Sequence, residues 1–182
     1  MRRIFHFLNK YFMVPMFRLG LGFFFGNPLT SYVMVLKTTG RKTGKQRYSP
    51  VNYAIQDGNV YCVSGFRQDC DWYRNLRNQP AIEIILPGGA ISGMAGETTN
   101  AAIRKIVIRK VLQNAGFAGF FEGFNPFRIG DEDLAARTAD MPLICIQPTG
   151  LGSGAGDPGG WAWVWTPVSL LLLAFILWLF IR

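Results

Sequence analysis

What most restricts the fold of this chain is a succession of short apolar, β-branched runs, each closed by a turn signal. SYVMVLKTT (31–39) ends at Gly40. QRYSPVNYAIQ (46–56) roughly alternates and runs into Asp57-Gly58, a strong hairpin signal, after which NVYCVSG (59–65) returns. AIEIILP (81–87) alternates, Gly88-Gly89 turns, AISGMAGETT (90–99) pairs back, and PLICIQP (142–148) is a short late strand. Between them lie two predicted helices, about 69–78, ended by Pro80, and about 100–114, with Asn100 as its N-cap. Six strands joined mainly by hairpins predict a mainly β (α+β) fold. Its expected form is a six-stranded antiparallel barrel with flanking helices, not a parallel α/β sheet.

The 182 residues fit one modest domain with an appendage, and the composition is 49% hydrophobic against 16% charged. Much of the excess sits in residues 161–181, WAWVWTPVSLLLLAFILWLFI, which carry no formal charge. At about 1.5 Å per residue such a run reaches roughly 30 Å, the thickness of a bilayer's hydrocarbon. Trp161, Trp163 and Trp165 cluster at its start, where indole rings favour the headgroup layer. The expectation is a C-terminal transmembrane helix over 161–181. A Gly-rich flexible linker, TGLGSGAGDPGG (149–160), would tether it to a barrel over 26–148. Residues 1–25 form an N-terminal segment whose amphipathic helix either lies in a membrane interface or covers one face of the barrel. No secretory signal is evident. The expected location is the cell membrane, single-pass at the C-terminus, with the barrel on the cytoplasmic side and the lipid bilayer as a partner.

The net charge is +8, and its placement matters more than its size. Residues 1–56 hold nine Lys/Arg and neither Asp nor Glu, so this third of the chain attracts an anion. Three cysteines (Cys62, Cys70, Cys145) without a CxxC pair imply neither a disulfide framework nor a zinc site. With His6 the only histidine, a His-centred triad or a multi-histidine metal site is excluded.

The densest charge lies in TTGRKTGKQRYSP (38–50), where Arg41, Lys42, Lys45 and Arg47 crowd Gly40 and Gly44. A phosphate-binding P-loop needs four residues between its glycines, a hydroxyl after the lysine, and a helix to open. Here three residues separate the glycines, Gln46 follows Lys45, and a strand containing Pro50 comes next. The nucleoside-triphosphatase reading fails. Nucleic-acid binding fails too, because the cations are local and lack interleaved aromatic side chains for stacking. An anion clamp and an ordinary solvated hairpin remain.

GRKTG (40–44), followed by Arg47, Pro50, Ser64 and then WYRNLRNQP (72–80) with a strand after it, resembles the deazaflavin (F420)-dependent nitroreductase family. These are split β-barrels related to flavin-nucleotide oxidoreductases, and the likeness covers about residues 19–148. The resemblance implies a bound coenzyme F420 as hydride carrier, with the same fold using FMN as the alternative. It implies that Arg41, Lys42 and Arg47 hold the anionic tail and that Pro50 and Val51 lie beside the ring. Ser64 would hydrogen-bond the tail or the ring edge. Trp72, at a helix start, would pack on the cofactor, with backbone N–H donors beside it. Phe117, Phe120 and Phe121 stand where relatives place pocket tyrosines, and the long segment 122–141 reads as a lid. The function expected is membrane-anchored hydride transfer to a small hydrophobic acceptor such as a quinone, with nitro reduction as a side activity. No catalytic side chain is assigned. A non-catalytic protein that holds a cofactor, haem or lipid is the reading from another class. A second copy of the chain is a candidate partner and nucleic acid is not.

Overall fold

A computed structural model of the chain describes residues 7–27, 31–65, 67–116, 119–120, 123–154 and 164–181. Its strands are β1 (Gly26–Asn27), β2 (Ser31–Thr39), β3 (Gln46–Gln56), β4 (Asn59–Val63), β5 (Ala81–Leu86), β6 (Gly89–Glu97) and β7 (Leu143–Leu151). All pairings are antiparallel, in the order β1-β2-β3-β4-β7-β6-β5, and β5 pairs back on β2. That last pairing closes a six-stranded barrel, with the short β1 lying beside β2.

Strand periodicity explains how both sides of the sheet become covered. On β2, Met34 and Leu36 point into the barrel with Ile84, Ile144 and Ile146, while Val33 and Val35 point outward against Phe17. The four residues 33–36 are therefore all buried. Full burial of each such side chain is worth about 1.5–3 kcal/mol. The outward cluster is covered by helix α1 (Val14–Arg18), which continues a π-helical turn at Asn9–Met13 and stops where Gly20 adopts φ +78°. Helix α2 (Asp71–Asn78) contributes Tyr73 and Leu76 to the barrel's interior cluster. Helix α3 (Ala101–Asn114) lays Val107 and Val111 on Ala54, Tyr61 and Leu143, and the Asn100 side chain caps it by accepting from the Ala102 and Ile103 N–H groups.

Two element boundaries differ from the sequence reading. β7 runs on through Thr149, Gly150 and Leu151, because β6 offers partners as far as Leu151 opposite Ile91, with a bulge at Ser92/Gly93 absorbing the offset. The expected linker thus begins inside the sheet; residues 155–160 of it lie outside the described residues. Residues 131–138, read as part of a lid, form helix α4 (Asp131–Thr138).

The C-terminal expectation is corrected. Helix α5 (Trp165–Ile181) has 17 residues, about 26 Å at 1.5 Å per residue, against roughly 30 Å of hydrocarbon. Among the described residues no helix is long and apolar enough to cross a membrane. The transmembrane helix over 161–181 and the single-pass location with a cytoplasmic barrel are therefore not supported, and nothing here shows a bilayer partner. Trp161 and Trp163, which lengthened the run on paper, lie outside the described residues. Ser169 Oγ donates to Met16 Sδ at 3.6 Å, which ties α5 to α1.

Candidate functional site

The basic stretch forms the turn between β2 and β3. Gly40 N–H donates to the Lys45 carbonyl at 2.8 Å, and the Gly40 carbonyl accepts from Thr43 and Gly44 N–H at 3.1 and 2.8 Å. Gly44 sits at φ +65°, a conformation that favours glycine. Gly40 is buried so tightly that a Cβ would stand 3.1 Å from the Lys45 carbonyl oxygen and 3.4 Å from Arg47 Nε. The Arg47 side chain therefore lies back over the turn.

The four cations divide into two kinds. Arg41 Nη1 donates to Asp71 Oδ1 at 2.9 Å and to Asn75 Oδ1 at 3.2 Å, and its backbone N–H donates to the same Asn75 oxygen at 3.2 Å. Lys42, Lys45 and Arg47 are exposed, and among the described residues their side chains form no ion pair. Asn75 is almost fully buried on α2 and was not singled out from the sequence. The available signal was an asparagine, a mediocre helix former, one turn after Asp71 on the same helix face.

Pro50 and Val51 lie half-buried in β3, opposite Val35 and Met34. Val51 and Trp72 both pack on the interior cluster, and the Trp72 ring stands edge-on to Tyr73, centroids 6.3 Å apart. Tyr73 is itself buried and its hydroxyl donates to Glu97 Oε2 at 2.7 Å. Burial first, and then the Glu97 carboxylate, push its phenol above the ordinary value, so it stays protonated. Thr38, one strand position from the turn, is buried with its hydroxyl unpaired among the described residues.

Ser64 directly follows β4. It is fully buried, and its Oγ donates to the Arg67 carbonyl at 2.5 Å, closing the bend that leads into α2. The expected donors at the α2 N-terminus are flanked by carboxylates: Asp71 in the first turn pairs with Arg41, and Asp69 just before it pairs with Arg74. Phe120 is exposed, while Phe117 and Phe121 lie outside the described residues. The segment read as a lid is fastened to α3. Arg109 donates to the Pro126 and Ile129 carbonyls and to Asp131, Arg104 reaches the Thr138 and Met141 carbonyls, and Leu134 packs on Ile108 and Leu112.

Residues 18–122, more than half of the chain, match the family of F420H(2)-dependent quinone reductases. The chain belongs to that family. It is an F420-dependent reductase, an oxidoreductase, and coenzyme F420 is the cofactor that membership brings with it. The F420-dependent reductase is also similar to solved structures. One is an F420-H2 dependent reductase, at 18% identity over 63% of this chain and 93% of that one, TM-score 0.42. A conserved hypothetical protein of Mycobacterium tuberculosis is 16% identical over 65% and 74%, TM-score 0.47. The heme storage protein HutZ of Vibrio cholerae is 14% identical over 75% and 88%, TM-score 0.41.

Proposed function

We propose that this reductase transfers a hydride from reduced F420 to a hydrophobic quinone, with nitro compounds as slower acceptors at the same site. The observation that carries the reading is the pairing of unlike surfaces at one corner of the barrel. Three cations without ion-pair partners among the described residues stand at the β2–β3 turn, near the half-buried Val51 of β3 and Trp72 of α2, which pack on one interior cluster. F420 joins a flat deazaflavin ring to a tail of phosphate and glutamate carboxylates, so this donor set fits it: charge for the tail, an apolar wall for the ring. When bound, the cofactor supplies the hydride.

The chain's own residues bind and orient. Lys42, Lys45 and Arg47 attract and hold the anionic tail. Val51 and Trp72, which pack on the same interior cluster, set the plane of the ring and keep water from it, while Pro50 faces the other side of β3 and shapes the strand beside them. Ser64 fixes the bend that presents Trp72 and makes no demand on the ligand, since its proton is already given to Arg67. No side chain is assigned as proton donor, so the proton that accompanies the hydride comes from water. No histidine is required for this chemistry, which agrees with a chain whose only histidine is His6.

The test is to mix the purified protein with reduced F420 and menadione and follow recovery of the oxidised deazaflavin's absorbance. Turnover that saturates with menadione, and runs slower with a nitroimidazole, is expected. A protein that binds F420 but reoxidises it with no quinone would end the quinone assignment.

A further inference from the structure

We infer that Arg41 does not hold the cofactor's anionic tail but positions the turn that does, seated by Asn75 and Asp71, and that the tail is held by Lys42, Lys45 and Arg47. This rests on the F420 reading above and assigns the parts within it.

The argument begins with what Arg41 already touches. Its guanidinium meets a carboxylate and an amide oxygen, and its backbone N–H meets the same amide oxygen. One buried side chain, Asn75, thus accepts from both the backbone and the side chain of a single turn residue. A guanidinium whose Nη1 already donates to two oxygens has fewer donors left for a third anion, and the exposed Asp71 at 2.9 Å offsets part of its charge. Asn75 is 4% exposed and rigidly carried by α2, so it fixes the turn to the helix instead of following it.

The other three cations have the opposite character. They are exposed and lack ion pairs among the described residues, and Arg47 folds over Gly40 on the turn itself. Their number is also sufficient for a multiply charged tail. Holding the turn in one place lowers the ordering cost of binding, so a latch residue raises affinity without touching the ligand.

Two measurements separate latch from contact. The first is amide hydrogen exchange in the protein without cofactor. Asn75→Ala and Arg41→Gln should each speed exchange at the Arg41 and Gly44 amides by roughly tenfold or more, leaving barrel amides such as Tyr61 unchanged. Asn75→Asp keeps an acceptor and should restore the protection. The second is oxidised F420 titrated by its fluorescence over a range of ionic strength. Asn75→Ala should weaken binding by about threefold to tenfold while keeping the wild-type dependence on salt, since no charge is changed. Lys45→Gln and Arg47→Gln should flatten that dependence, because each removes a charge that salt screens. Wild-type exchange at Arg41 and Gly44 in Asn75→Ala overturns the latch. Wild-type salt dependence in both Lys45→Gln and Arg47→Gln overturns the assignment of the tail. Absence of F420 binding by the wild-type protein would defeat the cofactor reading and the tail assignment with it, while the exchange data would still decide the latch.

Discussion

At the scale of single residues, the site is built on a few positions with no freedom to be something else. Thr38 buries a hydroxyl that finds no partner among the described residues, and such a group carries its desolvation cost uncompensated. Thr38→Val should therefore raise stability by about 1 kcal/mol, read as a higher melting temperature. A lower melting temperature would mean that the hydroxyl has a partner in solution. Gly44 works in the other direction. Its φ of +65° costs an L side chain about 1–2 kcal/mol, so Gly44→Ala should weaken both the fold and F420 affinity. A variant equal to wild type in both measurements would show that the turn relaxes freely. The basic stretch was legible because charge and glycine spacing are local properties of the sequence. The division of its four cations was not legible. It depends on Asn75 and Asp71, more than 25 residues away in sequence, and only the docking of α2 brings them to Arg41. The Ser64 hydrogen bond to Arg67 was not legible for the same reason: which partner a hydroxyl finds depends on the bend around it.

At the scale of elements, the hairpin signals placed β2 to β6 to within a residue or two, since alternation and Asp-Gly or Gly-Gly turns are short-range signals. The end of β7 was misplaced because glycines at 150 and 152 read as linker, while β6 supplied hydrogen-bond partners that no local pattern announces. Ser153 extends this attachment beyond the strand. Its hydroxyl and N–H donate to Glu83 at 2.8 and 3.1 Å, and Lys37 Nζ reaches Glu83, Ser153 and the Gly154 carbonyl. Among the described residues, the attachment to the barrel thus reaches as far as Gly154. A chain stopped after Gly154 should melt within a few degrees of the full protein, whereas one stopped after Ile146 should melt markedly lower. Equal melting of the two would show that the last turn of β7 and the Ser153 contacts contribute nothing. The α5 sequence was overread because an uncharged run suggests length, and the helix begins only at Trp165.

At the scale of the whole molecule, Lys37 and Glu83 stand opposite each other across β2 and β5, the pairing that closes the barrel. Burial alone would raise the Glu83 carboxyl, but hydrogen bonds from Ser153 and Lys37, with the Lys37 charge, outweigh it and hold the group below its ordinary 4.5. A lowered folded-state value means that the stability Glu83 lends is intact above pH 4.5 and is lost as pH falls through the lowered value. Glu83→Gln should reduce the acid dependence of the melting temperature below pH 4.5 and leave the slope near neutrality unchanged. An unaltered acid limb would place the acid sensitivity elsewhere.

The sheet order also sets a schedule for synthesis. β7 lies between β4 and β6, so the last strand to be made is the one that joins two parts already present. From the end of β6 at Glu97 to the start of β7 at Leu143, both neighbours wait with an unpaired edge. At roughly 5–20 residues per second that interval lasts on the order of several seconds, long enough for a foreign strand to add to either edge. A newly made chain is thus most exposed to aggregation just before its final strand arrives, and chaperone demand should be concentrated there.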